Sequence, residues 1–334
     1  MTLSTPIAVL GAGSWGTALA AHLARHEQPV HLWEYDKAQV LAMQRDRCNE
    51  KYAPGFAFPE LMKVTHSLKD AVFGVQDILI VVPSFAFRQT LQSLKPLIDK
   101  SHRIVWATKG IDEKNGQLFH EVVLEVLGRR AMAILSGPSF AKEIIQKLPA
   151  AVSLASEDKC FLDDLVNRFN RGVLRVYTSN DIVGVQLGGA GKNVIAIAAG
   201  ISDGLSLGAN ARSALITRGL AEIVRLGLAM GASRETFMGL SGIGDLILTC
   251  LDDQSRNRRC GLALACGETL EQAKKQLGQV VEGANVAEQF LLLAKKHHVD
   301  MPICELVSRV LHQELTASEA LSELLSRQPK EEKH

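Results

Sequence analysis

Two architectures follow one another in this chain: a doubly wound parallel α/β sheet over residues 1–180, then an all-helical domain over residues 181–326. Three observations predict this. A short apolar strand runs into a glycine-rich turn and straight on into a helix; apolar strands and helical stretches then alternate; and beyond Asp181 only glycine-punctuated helical patterns remain. Strand and helix in alternation imply a parallel sheet covered on both faces. The 334 residues exceed one ordinary core, and a hydrophobic share of 47% is enough to fill two. The polar end, RQPKEEKH over residues 327–334, is expected to fray.

The first strand is Pro6 to Leu10, followed by Gly11-Ala12-Gly13-Ser14-Trp15-Gly16 and a helix from Thr17 to Arg25. This is GxGxxG in the setting its chemistry requires, the Rossmann-type arrangement. The first glycine permits the tight turn, the second lets a pyrophosphate approach the backbone, and the third lets helix pack on strand. The next strand, Pro29 to Trp33, delivers Glu34. An acid there takes the adenosine ribose hydroxyls and repels a 2′-phosphate, which favours NAD over NADP. Alternatively Glu34 is a solvated loop acid, with Tyr35 stacking near the adenine or covering the edge. Arg45 and Arg47 lie within reach of a phosphate in the following helix. Cys48 to Pro59, with two prolines and Gly55, reads as a loop over part of the sheet.

Further strands are expected at Asp77 to Val82, ending at Pro83-Ser84; at Arg103 to Thr108, ending at Lys109-Gly110; and at Ala131 to Leu135, ending at Ser136-Gly137-Pro138-Ser139. Ala150 to Ala155 and Val173 to Tyr177 close the domain. Ligands bind beyond the carboxyl ends of such strands, so one cleft is expected to collect Gly11 to Gly16, Glu34, Pro83, Lys109 and Gly137 to Ser139. Lys109 read by itself equally marks the point where a strand meets water.

Between Asp181 and Asp203 lies IVGVQLGGAGKNVIAIAAGIS, whose single formal charge is Lys192, beside Asn193. The segment is long enough to cross a membrane, but its five glycines, Gln186, Lys192 and Asn193 leave too little apolar side chain. A helix buried in a soluble protein is expected, with Lys192 either the chemical centre or a lysine that snorkels to the surface. Ala211 to Met230 is amphipathic, and core plus solvated face accounts for it. Ser241-Gly242-Ile243-Gly244-Asp245 introduces a helix from Leu246 to Cys250, with Asp245 a possible N-cap. The run Ser255-Arg256-Asn257-Arg258-Arg259 suits a phosphate clamp at a helix start, or a solvated helix face. Gln279 to Gly283 reads as a loop.

With 37 basic and 36 acidic residues and a net charge of +1, there is no global field for nucleic acid or anionic membrane. No positive n-region precedes the first apolar run, so a signal peptide is not expected and a cytoplasmic location is. Cys48, Cys160, Cys250, Cys260, Cys266 and Cys304 show no metal spacing; reduced thiols and no metal are expected.

Taken together, GAGSWG, VVPS, ATKG, SGPSFAKE, QLGGAGKNVIAIAAG, GIGDLILTC and QSRNRR, in this order and spacing, strongly resemble the bacterial NAD(P)-dependent glycerol-3-phosphate dehydrogenases, from about Ile7 to Pro302. The resemblance implies Lys192 as the acid/base residue, with Lys109, Gly137, Ser139, Asp245, Ser255, Arg256 and Asn257 around a small phosphate substrate. It also implies Ser14, Trp15, Tyr35, Lys109, Ala141, Arg256, Val280 and Glu282 around the cofactor, NAD or NADP, and supply of glycerol 3-phosphate for phospholipids. Relatives that prefer NADP often carry His or Arg at the Tyr35 position, which adds to the lean towards NAD. A homodimer is expected, with neither nucleic acid nor a transmembrane segment. One position departs: the family usually has a larger apolar residue where this chain has Gly191, and a glycine there loosens a helix by roughly 1 kcal/mol. A hydroxyacid dehydrogenase and a non-catalytic NAD(H) sensor are the competing readings.

Overall fold

A computed structural model describes residues 5–278 and 280–328. The polar tail from residue 329 onward, and Gln279, lie outside the described residues. By its contacts the chain divides into two compact units, Met1–Thr108 with Phe119–Ile182, and Lys109–Leu118 with Val183–His334.

The first unit is the α/β sheet. Its strands are β1 (Ile7–Leu10), β2 (Val30–Trp33), β3 (Cys48–Asn49), β4 (Ala53–Ala57), β5 (Met62–Thr65), β6 (Asp77–Ile80), β7 (Arg103–Trp106), β8 (Met132–Ser136), β9 (Ala150–Ala155) and β10 (Leu174–Ser179). Its helices are α1 (Ser14–Arg25), α2 (Lys37–Asp46), α3 (Leu68–Val72), α4 (Phe87–Leu94), α5 (Phe119–Leu127), α6 (Ala141–Ile145) and α7 (Lys159–Phe169). Eight strands form one sheet in the order β10-β9-β8-β7-β6-β1-β2-β5. Every residue of β1 and β6 is buried, as expected of strands covered on both faces. The chain leaves β1 towards β2 and β5, then returns to place β6 on the other side of β1. The glycine-rich turn therefore sits at the topological switch point, where such sheets take their ligands.

Two expectations need correction. The sheet is not wholly parallel: β9 pairs antiparallel with β8, Ile134 opposite Ala155, so β9 and β10 end at the other edge. Cys48 to Pro59 is not an open loop. β3 and β4 form an antiparallel ribbon, and β5, not anticipated at all, extends the sheet beside β2.

Apart from the irregular segment Lys109–Leu118, the elements among the described residues of the second unit are helices: α8 (Ile182–Gly204), α9 (Gly208–Ala229), α10 (Arg234–Phe237), α11 (Asp245–Leu251), α12 (Arg256–Ala265), α13 (Leu270–Leu277), α14 (Glu282–Lys296), α15 (Pro302–Leu311) and α16 (Ala317–Leu325). Among the described residues α8 alone is long and apolar enough to span a membrane, yet 94% of that stretch is buried inside the protein. It is the central core helix: Val194, Ile195, Ala196 and Ile197 are wholly enclosed. Gly191 is packed tightly, since a Cβ there would meet Ile223 at 2.8 Å and Phe290 at 3.0 Å. Neighbouring side chains thus fill the space that a larger residue would take, and the helix is held there by close packing. Glu282 begins α14 and is not part of a loop, with Val281 as the N-cap residue.

Candidate active site

In the first unit, the glycine-rich turn shows which constraints come from the chain and which do not. Gly11 has φ +110° and a Cβ on it would lie 2.8 Å from the Val81 carbonyl oxygen; on Gly16 it would lie 1.9 Å from that of Gly11. Both glycines are required by the fold itself. Gly13 is not: its φ of −69° suits any residue, and a Cβ would meet nothing within 4 Å. Room beside Gly13 is what close approach of a pyrophosphate needs. Gly13 caps α1 without a side-chain bond, and the first turn of α1 carries no acid. Its amide donors and positive dipole end fit an anion. Trp15 Nε1 is buried without a hydrogen-bond partner.

Glu34 ends β2 with its carboxylate turned onto the backbone. Oε2 accepts from the Ala12 N–H at 3.1 Å, and Oε1 from those of Tyr35 at 3.0 Å and Asp36 at 3.4 Å. It is 6% exposed, so it is no solvated loop acid but a brace of the turn. Tyr35 is 80% exposed. Arg47 is spent on the Met62, Phe58 and Pro59 carbonyls, and Arg45 pairs with Asp46. Gly137 lies against β9, where a Cβ would come within 3.0 Å of Val152 Cα; Ser139 Oγ donates to the Gly137 carbonyl at 3.0 Å. Ala141 opens α6.

In the second unit, Lys192, Lys109 and Asp245 come together. Asp245 Oδ1 accepts from Lys192 Nζ at 2.6 Å and Oδ2 from Lys109 Nζ at 2.5 Å. Lys192 Nζ also donates to Thr249 Oγ1 at 2.8 Å, and that hydroxyl donates to the Asp245 carbonyl at 2.6 Å. Asp245 and Thr249 are four residues apart in α11, so they share its face. Asp245 is no N-cap; it is the first residue of α11 and is 1% exposed. Close backbone contact brings the turn leading into α11 onto α8, for a Cβ on Gly188 would collide with the Ser241 carbonyl oxygen. Lys192 does not snorkel. It is 8% exposed, and burial above all, opposed by Asp245 and aided by the Lys109 charge, brings its ammonium down to about 7.

The basic run divides by helical face. Ser255 caps α12, accepting from the Arg258 N–H at 3.2 Å. Arg258 is committed to Asp203, at 2.7 Å and 3.1 Å, and to Asp253. Asn257 Nδ2 donates to Asn193 Oδ1 at 2.9 Å, and Asn257 Oδ1 accepts from the Gly283 N–H at 3.0 Å, tying α8, α12 and α14 together. Arg256 and Arg259 are exposed. Within the run expected to clamp a phosphate, Ser255, Asn257 and Arg258 thus each make bonds inside the protein. Sequence reasoning missed Thr249, although its spacing from Asp245 was a usable signal.

Comparisons with known proteins identify the family. The NAD-dependent glycerol-3-phosphate dehydrogenase N-terminus family matches residues 6–162 and the corresponding C-terminus family residues 181–322. A glycerol-3-phosphate dehydrogenase [NAD(P)+] of Thioalkalivibrio sulfidiphilus is 54% identical over 98% of both chains. One from Coxiella burnetii is 52% identical over 98% of both. A crystal structure of glycerol-3-phosphate dehydrogenase from Coxiella burnetii superposes with a TM-score of 0.95 at 51% identity, covering 97% of this chain and 100% of the other. D-mandelate dehydrogenase shares the fold alone, at a TM-score of 0.62 and 13% identity. The chain belongs to the NAD-dependent glycerol-3-phosphate dehydrogenases, a family of oxidoreductases acting on CH–OH donors.

Proposed function

We propose that this protein interconverts dihydroxyacetone phosphate and sn-glycerol 3-phosphate with NAD(H) or NADP(H), and that it supplies glycerol 3-phosphate for phospholipids from the cytoplasm. The observation that carries the reading is the buried Lys192 ammonium, drawn down to about 7 and oriented by Asp245 and Thr249. An ammonium has three donors and two are engaged by Asp245 and Thr249, which leaves one to offer a substrate oxygen. Bound nicotinamide would supply the hydride to C2 of the ketone, or take it from the alcohol. Lys192 then protonates the oxygen on C2 in reduction and takes the hydroxyl proton in oxidation, which a group titrating near neutrality does in both directions. Lys109 keeps that value low and helps to hold the substrate. Arg256, with Ser255 and Asn257, binds the phosphate remote from the reacting carbon, so that binding energy positions the substrate.

Gly11, Gly13, Ser14, Trp15, Gly16, Glu34, Tyr35 and Ala141 in the first unit, with Lys109, Arg256, Val280 and Glu282 in the second, are the proposed cofactor contacts. Gly137 and Ser139 are proposed substrate contacts. NAD is favoured over NADP: Glu34 lies where a 2′-phosphate would be repelled, Tyr35 offers it no charge, and Arg45 and Arg47 are engaged elsewhere. A homodimer is proposed as the assembly. The deciding assay is dihydroxyacetone-phosphate-dependent oxidation of NADH and of NADPH under matched conditions. NADH should be favoured. Absence of activity with either would overturn the reading, and a preference for NADPH would overturn the cofactor argument alone.

A further inference from the structure

The backbone of Ala12, in the middle of the glycine-rich turn, is held through both of the peptide groups it joins. Its N–H donates to Glu34 Oε2 at 3.1 Å, while its carbonyl accepts from Asn49 Nδ2 at 2.8 Å and from Thr17 Oγ1 at 3.3 Å. Asn49 Nδ2 also donates to Thr17 Oγ1 at 2.9 Å. Asn49 comes from β3, in the ribbon that the sequence pattern presents as a loop, and is 1% exposed. Both hydrogens of its amide are spent, one on each acceptor, yet its Oδ1 is buried without a hydrogen-bond partner. An unpaired buried acceptor is destabilising, and an apolar side chain of similar size would avoid it. What favours asparagine here is the pair of bonds its nitrogen donates.

In a trans peptide, the C=O of one residue and the N–H of the next point in opposite directions. With the Ala12 carbonyl drawn inward to Asn49, the Gly13 N–H is aimed outward, away from the buried amide. Gly13 is the N-cap residue of α1 and has open space where a side chain would stand. We propose that Asn49 is a positioning residue for the pyrophosphate of the dinucleotide: acting through the Ala12 peptide, it fixes the direction of the Gly13 donor. The proposal rests on the dinucleotide reading of the turn.

The test compares Asn49→Ala with Asn49→Asp, the latter of the same shape but with an oxygen where the nitrogen donates. Binding of NADH and of ADP is measured by calorimetry, alongside the unfolding midpoint, turnover at saturating NADH and the KM for dihydroxyacetone phosphate. Loss of one donor to a charged ligand should weaken NADH and ADP alike by about tenfold or more, with turnover within about threefold and the substrate KM unchanged. A folded variant that binds NADH as the wild type does would overturn the proposal. So would a substrate KM that rises in step with NADH dissociation while the unfolding midpoint drops, because that pattern marks general loosening. Should Asn49→Ala fail to fold, Asn49→Asp decides by the same criteria. Wild-type protein that bound neither NADH nor ADP would remove the dinucleotide reading itself, a result distinct from any difference between variants.

Discussion

Replacing Asp245 by Asn tests the cluster at its centre. The carboxylate holds Lys192 at 2.6 Å and Lys109 at 2.5 Å, and the substitution keeps its shape while removing its charge. Two unit charges about 4 Å apart interact by about 4 kcal/mol at an effective dielectric of about 20, which corresponds to about three pKa units. The Asn carbonyl still accepts one hydrogen bond, so a smaller fall is expected, taking Lys192 from about 7 to about 5 to 6. At pH 7 the ammonium share then drops from about one half to about one in ten or less. Reduction needs the ammonium and oxidation the free amine. The variant should therefore lose ketone reduction near pH 7 by about fivefold or more, while the rise of alcohol oxidation with pH shifts to lower pH. The assay is turnover in both directions at saturating substrates across the pH range, read from nicotinamide absorbance, with circular dichroism as the check on folding. Equal losses in both directions with no displacement of either profile would refute the assignment of the proton to Lys192.

Lys192→Ala should lower turnover by at least about a hundredfold with the fold retained, which steady-state kinetics and an unfolding curve check together. Arg256→Ala should raise the KM for dihydroxyacetone phosphate by about tenfold or more while leaving the weak reaction of phosphate-free dihydroxyacetone, at saturating NADH, as it was in the wild type; a parallel loss on both substrates would contradict the clamp. Gly13→Ala should fold normally and bind NADH more weakly, whereas Gly16→Ala, with its Cβ 1.9 Å from the Gly11 carbonyl oxygen, should lower the unfolding midpoint. Burial raises Glu222 from 4.5 to about 7 although it accepts the Ile303 and Cys304 N–H groups at 2.8 Å and 3.2 Å. The folded state then binds more protons than the unfolded one between those values, so its contribution is fully present below about 4.5 and is lost as pH rises through about 7. Urea midpoints should fall by the equivalent of about 3 kcal/mol across that window, and the slope should vanish in Glu222→Gln.

What could be read in the sequence was what repeats locally. The strand, glycine-rich turn and helix from Ile7 to Arg25 lie within one short stretch, and α8 shows itself by a long run with one charge. Strand direction is not local information, so the reversal at β9 left no mark in the pattern. The β3–β4 ribbon was hidden by Pro54 and Gly55, which read as punctuation, and by the exposure of most of β4. Asp245 meets Lys109 across 136 residues and Lys192 across 53. Only tertiary structure turns those three into one group, although each was singled out by its own setting. Arg256 and Arg258 looked like one basic cluster. The helical period puts them on different faces, and Arg258 turns to Asp203. Asp77, wholly buried between Arg103 at 2.6 Å and Arg168 at 2.7 Å, gave no signal at all.

The excursion from Lys109 to Leu118 bears on how this protein can be taken apart. That segment is interrupted from the first unit by its contacts alone; in the chain it lies between β7 and α5. Ile111 and Leu118, each 1% exposed, belong to the helical unit's core. A fragment ending near residue 182 would carry these two apolar side chains away from their neighbours, and the complementary fragment would be left with a vacancy in its centre and without Lys109. Neither half made separately should be a faithful domain, and mixing the two as independent polypeptides should restore solubility to both or to neither.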